Sequence, residues 1–415
     1  MFGKNFIVGL DIGTSSIKTG VVEKGKNSPI LRALFKETSL GLQRGSIFDM
    51  TEASQSIGRV LGEVRKINRG AVKNIYVNIG TPQVKVQSSR GVVAVSRADN
   101  EIYKDDMDRV IRASRAINLA PNRTIIHNLT KDYMIDGVGD IFDPLGLSGN
   151  RLEVTSLVVD VFTPHVKSLM KVIELVGGEI GGVVFTPLAG SRSVLSKVQK
   201  DLGTVLVDIG AATTGMSIYE DNRLVNLAKF PVGAANISKD LAVGLKIPVE
   251  AAENLKLNYG YALARDVSVR EMIELKKFSP EASGSISRRF VAEIIEARLA
   301  EIFEFVNNEL KLLGKTGKLP GGVVLVGGGA KLPGITELAR QELKLFSQVG
   351  LANQEDWLKE SPEFLEKVED PEFVNALGLL LWGTDQENWR PANLRGGGGE
   401  SLGSRVKNFL GYFKP

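Results

Sequence analysis

The sequence of 415 residues has no cysteine and only two histidines, His127 and His165. Without cysteine there are no disulfides and no thiolate metal centres, which fits a reducing compartment. Two histidines are too few for a histidine-based zinc site, and neither stands near a serine-nucleophile signature. Metal-hydrolase and serine-hydrolase chemistry are therefore set aside. An excess of one charge is also lacking: 52 Lys and Arg against 48 Asp and Glu leave a net +4, too little to suggest a nucleic-acid-binding surface. No run approaches the roughly 18 apolar residues that span a bilayer, and residues 1–5 have no apolar stretch of signal-peptide type. The expected location is cytoplasmic, unless something holds the chain to a membrane. What is present is ordinary globular material, 43% hydrophobic and 24% charged, long enough for two or three compact units with a large core.

One pattern occurs twice. Residues 6–10 form a short apolar run, followed by DIGTSSIK at 11–18 and a second strand-like run at 19–23. The same strand, tight turn and strand return at 204–207, DIGAATT at 208–214, and 215–219. This reads as a diverged duplication of half-domains, not a solenoid, because nothing between the copies repeats with a period of about 20–50 residues. Between them, residues 81–162 alternate strand patterns at 84–86, 91–95 and 152–161 with a helical stretch at 104–116, a small inserted α+β unit. Farther on, helices are expected at 248–259 and 287–313, the latter with Phe290, Ile294, Leu299, Ile302, Phe303, Val306 and Leu310 on its apolar face. A buried-type strand at 322–326 ends in Gly327, Gly328 and Gly329. After Trp389, Pro391 and the glycines at 396–399 read as a flexible linker, and 401–414 as a separate element.

An aspartate at a strand end, a glycine two residues later and hydroxyls beyond it suit a phosphate site. Glycine lets backbone N–H groups approach the oxygens, hydroxyls add donors, and the carboxylate holds Mg²⁺ through water. A single Asp-x-Gly turn is as readily a plain hairpin. Two copies with matching flanks favour function, because Mg·ATP needs its charge neutralised from two sides. Lys18 supplies a cation in the first copy, or is a solvent-facing strand lysine. Three glycines directly after a strand let a flat base approach the backbone. They come too late in the chain for a dinucleotide fingerprint. Glu253 and Lys256 stand one turn apart, facing a ribose and an adenine or forming an exposed ion pair. In the terminal element, Leu402, Val406, Phe409, Leu410 and Phe413 share a helical face, with Arg405, Lys407 and Lys414 elsewhere. This is the signature of an interfacial helix, each basic residue near an anionic leaflet being worth on the order of 1 kcal/mol. The other readings are a tail that docks on a partner or stays disordered. One such helix binds weakly, and several on a self-associating protein bind with avidity.

In this order, the paired hairpins, the Glu253/Lys256 helix and the glycine turn resemble the actin, MreB, sugar-kinase and DnaK superfamily over most of the chain. Within it, RGSIFD at 44–49, DPLGLSGNRLE at 143–153, FTPLAGSRSVL at 185–195, FPVGAANISKDLA at 230–242 and the tail resemble the FtsA family of bacterial cell-division proteins. The resemblance implies an α/β actin-like duplicated ATPase fold with ribonuclease-H-like halves, an inserted α+β subdomain called IC and a C-terminal amphipathic helix. The implied organisation is subdomain IA at 1–80 and 164–197 with a return at 366–389, IC at 81–163, IIA at 198–225 and 305–365, IIB at 226–304, a linker at 390–400 and the membrane helix at 401–415.

It also implies a protein that binds ATP with Mg²⁺, polymerises, recruits the acidic C-terminal tail of FtsZ and anchors the division ring to the cytoplasmic membrane alongside other division proteins. Residue by residue, the family's nucleotide contacts match Asp11, Gly13, Thr14, Ser15, Ser16, Lys18, Asp208, Gly210, Thr213, Gly233, Glu253, Lys256 and Gly327 to Gly329, with Asp11 and Asp208 holding the metal through water. Arg298 matches a basic position on IIB used to receive the FtsZ tail, with Arg288 and Arg289 as further candidates. Three positions depart from the wider superfamily. Ala211 and Ala212 stand where glycines are frequent, and Thr186 where chaperone-type members carry a glutamate that helps activate water. Binding is then better preserved than turnover, with at most slow ATPase activity. The alternatives are a PilM-like pilus-assembly protein, expected to end before the 402–413 helix, and a sugar-kinase-type phosphotransferase, which needs a catalytic aspartate near a sugar.

Overall fold

Two five-stranded sheets repeat one strand order in the computed structural model, which describes residues 6–25, 29–282, 284–353 and 364–389. In the first, Phe6–Ile12, Ser16–Lys24 and Pro29–Thr38 form an antiparallel meander, and Ile75–Ile79 and Ile180–Phe185 add parallel strands on the other side of Phe6–Ile12. In the second, Thr204–Ile209, Thr214–Glu220 and Arg223–Phe230 form the meander, with Val323–Val326 and Ser347–Val349 added in parallel. The order third, second, first, fourth, fifth in both halves is the duplication read from the paired hairpins. The leading strands, FIVGLDI and TVLVDI, are buried at every residue. That is why they read as continuous apolar runs without alternation.

Each half has its own core, one around Ile7, Leu61 and Phe185, the other around Val207, Phe303 and Leu338. Helix Met50–Ile67 covers the first sheet with Ala53, Ile57, Val60, Leu61 and Val64, and Asp49 caps it by accepting hydrogen bonds from the N–H groups of Thr51 and Glu52. Two helices join the halves. Thr186–Val194 leaves the first half, and Val374–Trp389 returns to it. They cross where Gly378 offers bare backbone, since a β-carbon there would stand 1.8 Å from the Ala189 carbonyl oxygen.

The insert is a four-stranded sheet in the order Lys85–Ala94, Arg151–Phe162, Arg123–Ile135, Val138–Ile141, with helix Lys104–Ser114 on it and a small core of its own. Three expectations are corrected here. The strands expected at 84–86 and 91–95 are one strand, Lys85–Ala94, which runs unbroken through residues 87–90. Helix Lys104–Ser114 lies so close that a β-carbon at Gly91 would meet the Val110 carbonyl oxygen at 2.2 Å. That helix ends at Ser114, two residues early. Two strands, Arg123–Ile135 and Val138–Ile141, were missed, because the first is only partly buried and mixes polar with apolar residues.

In the second half, helices Val249–Tyr259 and Arg288–Leu312 agree with expectation to within a residue. Phe290 does not belong to the buried face, being 44% exposed, and Ile294 is only partly covered. The buried stripe is Val291, Ile295, Leu299, Ile302, Phe303, Val306 and Leu310. The division expected between 304 and 305 falls inside this continuous helix. The linker at 390–400 and the terminal element, with Leu402, Arg405, Val406, Lys407, Phe409, Leu410, Phe413 and Lys414, lie outside the described residues. Among the described residues, no helix is long and apolar enough to cross a membrane.

Candidate functional site

A cleft of about 430 Å³ opens between the halves, with one hairpin on each side. Each hairpin turn is closed by the same bond: the Gly13 N–H donates to the Ser16 carbonyl at 3.2 Å, and the Gly210 N–H to the Thr213 carbonyl at 3.0 Å. Asp11 and Asp208 end the leading strands at matching places, each only 4% exposed. An asparagine steadies each. Asn78 Nδ2 donates to Asp11 Oδ1 at 2.6 Å while its Oδ1 accepts from the Ile12 N–H, and Asn375 Nδ2 donates to Asp208 Oδ2 at 3.1 Å. Burial pushes the Asp11 carboxyl up to about 6, against the pull of Lys18 and Lys229, with the neighbouring Asp208 and Glu372 adding to the rise. A buried carboxylate pair with this bias calls for a cation.

Strand register sets what stands beside each aspartate, since directly opposed residues share a face. Across the first sheet the row is Asp11, Lys18, Lys36; across the second it is Asp208, Gly215, Lys229. Lys36 is held by Glu372, which also pairs with Lys331 at 3.4 Å. Although burial alone would raise the Glu372 carboxyl, Lys36, Lys18 and Lys331 hold it below the usual range. Lys229 crosses the space left by Gly215, and burial lowers its ammonium pKa against the opposing fields of Asp208 and Asp11.

The second half supplies the rest of the lining. Gly327 has φ +84°, and a β-carbon there would stand 2.5 Å from Asp208 Oδ1; at Gly329 it would strike Ile209 Cγ2 at 2.3 Å. Glycine is required at both for the turn to pack on the hairpin. Lys256 is 7% exposed, and its ammonium reaches Glu253 at 2.7 Å, Ser238 at 3.0 Å and the Ala234 carbonyl at 3.3 Å. This ion pair is part of the cleft wall, with the lysine buried and the Glu253 side chain 42% exposed.

Asp11, Gly13, Thr14, Ser15, Ser16, Lys18, Asp208, Gly210, Thr213, Glu253, Lys256 and the three glycines all line one cavity. Gly233 stands behind it: its backbone packs on the Gly210 and Ala211 carbonyls, where a β-carbon would come within 2.5 Å, and Ala234 and Ala235 face the cavity instead. Thr186, Ala211 and Ala212 line the cavity, and the Thr186 hydroxyl is committed to the Ile79 carbonyl at 3.0 Å. The arginines lie on the long helix away from this lining. Arg298 pairs with Asp240 and Glu301, Arg288 with Glu271, and Arg289 donates to the Val267 carbonyl. At 3.6 residues per turn, Arg288 and Arg298 share a side of the helix, and Arg289 faces away from Arg298. Sequence reading missed Asn78, Asn375, Lys36, Lys229 and Glu372. No short motif contains them.

The residues fit Mg²⁺ as it is bound beside phosphates. Among the described residues no group of three or more His, Cys, Asp or Glu side chains could cage a metal. Mg²⁺ instead keeps several of its waters when it sits beside phosphates, and the Asp11 and Asp208 carboxylates would accept hydrogen bonds from such waters.

The comparisons agree with this architecture. The family model described as "Cell division protein FtsA" matches residues 205–378, and "SHS2 domain inserted in FTSA" matches 82–160. The cell division protein FtsA of Bacillus subtilis (strain 168) is 32% identical, with 92% of this chain aligned to 84% of that one. FtsA of Neisseria meningitidis serogroup B is 30% identical over 98% of each chain. Among solved structures, a chain of the PilM-PilN type IV pilus biogenesis complex superposes with a TM-score of 0.66 at 20% identity, covering 91% of this chain and 98% of that one. MreB 5 of Spiroplasma citri bound to AMPPNP gives 0.52 at 13% identity over 99% of each. These likenesses establish an actin-like α/β fold carrying an SHS2 insert.

Proposed function

The chain belongs to the FtsA family of cell division proteins, and from that premise we propose that it holds ATP with Mg²⁺ in the cleft, assembles with its own copies into actin-like filaments and ties FtsZ filaments to the cytoplasmic membrane. The observation that carries the nucleotide reading is the matched pair of hairpins, each with a buried aspartate steadied by an asparagine, facing each other across one cavity. Glycines bring backbone to the phosphates, Thr14, Ser15, Ser16 and Thr213 add hydroxyl donors, and Lys18 adds charge. Asp11 and Asp208 hold the metal through water, and the ion neutralises phosphate charge. Glu253 and Lys256 take the ribose and adenine, with Gly327 to Gly329 against the base. Gly233 acts one layer back, by seating its helix on the second hairpin.

ATP serves this protein more as a structural ligand or switch than as fuel. Ala211 and Ala212 crowd the phosphate approach, and the Thr186 hydroxyl, bonded to a carbonyl, is no general base. Hydrolysis is correspondingly slow. The subdomains are IA at 1–80, 164–197 and 366–389, IC at 81–163, IIA at 198–225 with 305–365, and IIB at 226–304.

The acidic FtsZ tail docks on IIB near Arg298, with Arg288 and Arg289 as further contacts. The glycine linker and the 401–415 helix, with its apolar face and basic flank, bring the protein to the cytoplasmic face of the membrane at the division site, where later division proteins join it. Sedimentation with anionic liposomes tests this directly. The full-length protein should pellet with the vesicles in ATP, and a chain ending at residue 400 should stay in the supernatant. Equal pelleting of the two would remove the anchor from the account.

A further inference from the structure

The two lysines that pseudo-symmetry relates, Lys36 and Lys229, are used differently. Lys36 is engaged with Glu372. The Lys229 side chain has no hydrogen bond or ion pair among the described residues, and it lies within the field of both Asp208 and Asp11. Its course depends on two glycines. A β-carbon at Gly215 would stand 3.2 Å from Lys229 Nζ and 3.3 Å from its Cδ, and one at Gly80, across the cleft, 3.8 Å from its Cε. The side chain thus starts in the second half, runs over bare backbone at Gly215 and arrives at the first-half wall beside Gly80 and Thr186. The nucleoside-facing residues Glu253, Lys256 and Gly327 to Gly329 all belong to the second half. Hairpin two carries no cation of its own, where hairpin one carries Lys18. A triphosphate needs positive charge at its far end, and a diphosphate stops short of it.

We propose that Lys229 is the specificity-determining cation that binds the terminal phosphate of a nucleoside triphosphate and so distinguishes it from the diphosphate. The inference rests on the reading of the cleft as a nucleotide site. Calorimetric titration of the full chain with Mg·ATP and Mg·ADP tests it with two variants. In Lys229→Met, affinity for ATP should fall at least tenfold while that for ADP changes less than threefold. Gly215→Ala keeps the charge but displaces the amine, and it should show the same selective loss, which keeps the test available should Lys229→Met fold poorly. Equal losses for both nucleotides, or none, in the variants that fold would overturn the role of Lys229 and leave the nucleotide site standing. Absence of any nucleotide binding by the unaltered protein would overturn both.

Discussion

Replacing Gly327, Gly328 and Gly329 by alanine, one at a time, probes three different surroundings within one run of identical residues. At Gly327 the backbone has φ +84° and ψ 174°, a region only glycine occupies easily, so alanine costs about 1–3 kcal/mol in strain. Its β-carbon would also stand 2.5 Å from Asp208 Oδ1 and 2.7 Å from the Ile209 carbonyl oxygen. The carboxylate has to retreat from Asn375, and a hydrogen bond to a charged group is worth about 1.5–3 kcal/mol. Together these come to about 2.5–6 kcal/mol, a large part of the stability of a typical domain. At Gly329 the backbone is ordinary, and the obstacle is Ile209 Cγ2 at 2.3 Å, an overpacking cost of about 1–3 kcal/mol. At Gly328 a β-carbon meets nothing nearer than Glu372 Oε1 at 3.6 Å, and the substitution should be neutral or stabilise by less than about 1 kcal/mol. Urea unfolding followed by circular dichroism should rank Gly328→Ala level with or above the unaltered protein, then Gly329→Ala, then Gly327→Ala. Nucleotide titration should show Gly327→Ala as the variant that loses binding, because it moves Asp208. Equal losses at all three positions, or the greatest loss at Gly328, would refute the geometry on which the site is built.

His127 gives a dependence on pH. Its Nε2 accepts the Phe185 N–H at 3.0 Å, the ring packs edge-on against Trp382 at 5.6 Å, and burial holds its pKa down to about 4 from 6.5. The native state then binds fewer protons than the unfolded chain between those values. This contribution is complete above pH 6.5 and is lost as the pH falls toward 4, by at most about 3 kcal/mol. His127→Gln, which keeps an acceptor, should flatten that part of the stability profile, and an unchanged slope would assign it to other groups. Arg298→Glu should weaken binding of a peptide with the FtsZ C-terminal sequence at least tenfold in a fluorescence-anisotropy titration, with nucleotide affinity unchanged. Undiminished peptide binding would move the docking surface elsewhere.

The hairpins were legible because everything that defines them is local: an apolar strand, Asp-x-Gly, hydroxyls and a second strand, within 18 residues in one copy and 16 in the other. The groups that complete them were not. Asn78 lies 67 positions from Asp11, and Asn375 lies 167 from Asp208, so only the packing of a fourth strand and of the returning helix brings them in. Lys36 and Lys229 are placed by strand register, which the lysine itself does not disclose. The polar run from Gln87 to Arg90 misled for a different reason: it reads as a gap between two strands, but one largely exposed strand runs through it, and Gly91 admits the helix against that strand. Gly233 was expected against the nucleotide, but its contact is with the hairpin's carbonyls and not with the cavity.

If Asp11 and Asp208 are the two sides of one Mg·ATP clamp, calorimetric titration of the full-length protein with ATP in Mg²⁺ should give a saturable isotherm with one site per chain. The same titration of Asp208→Ala should show no measurable binding. Equal affinity in the two proteins would rule the clamp out.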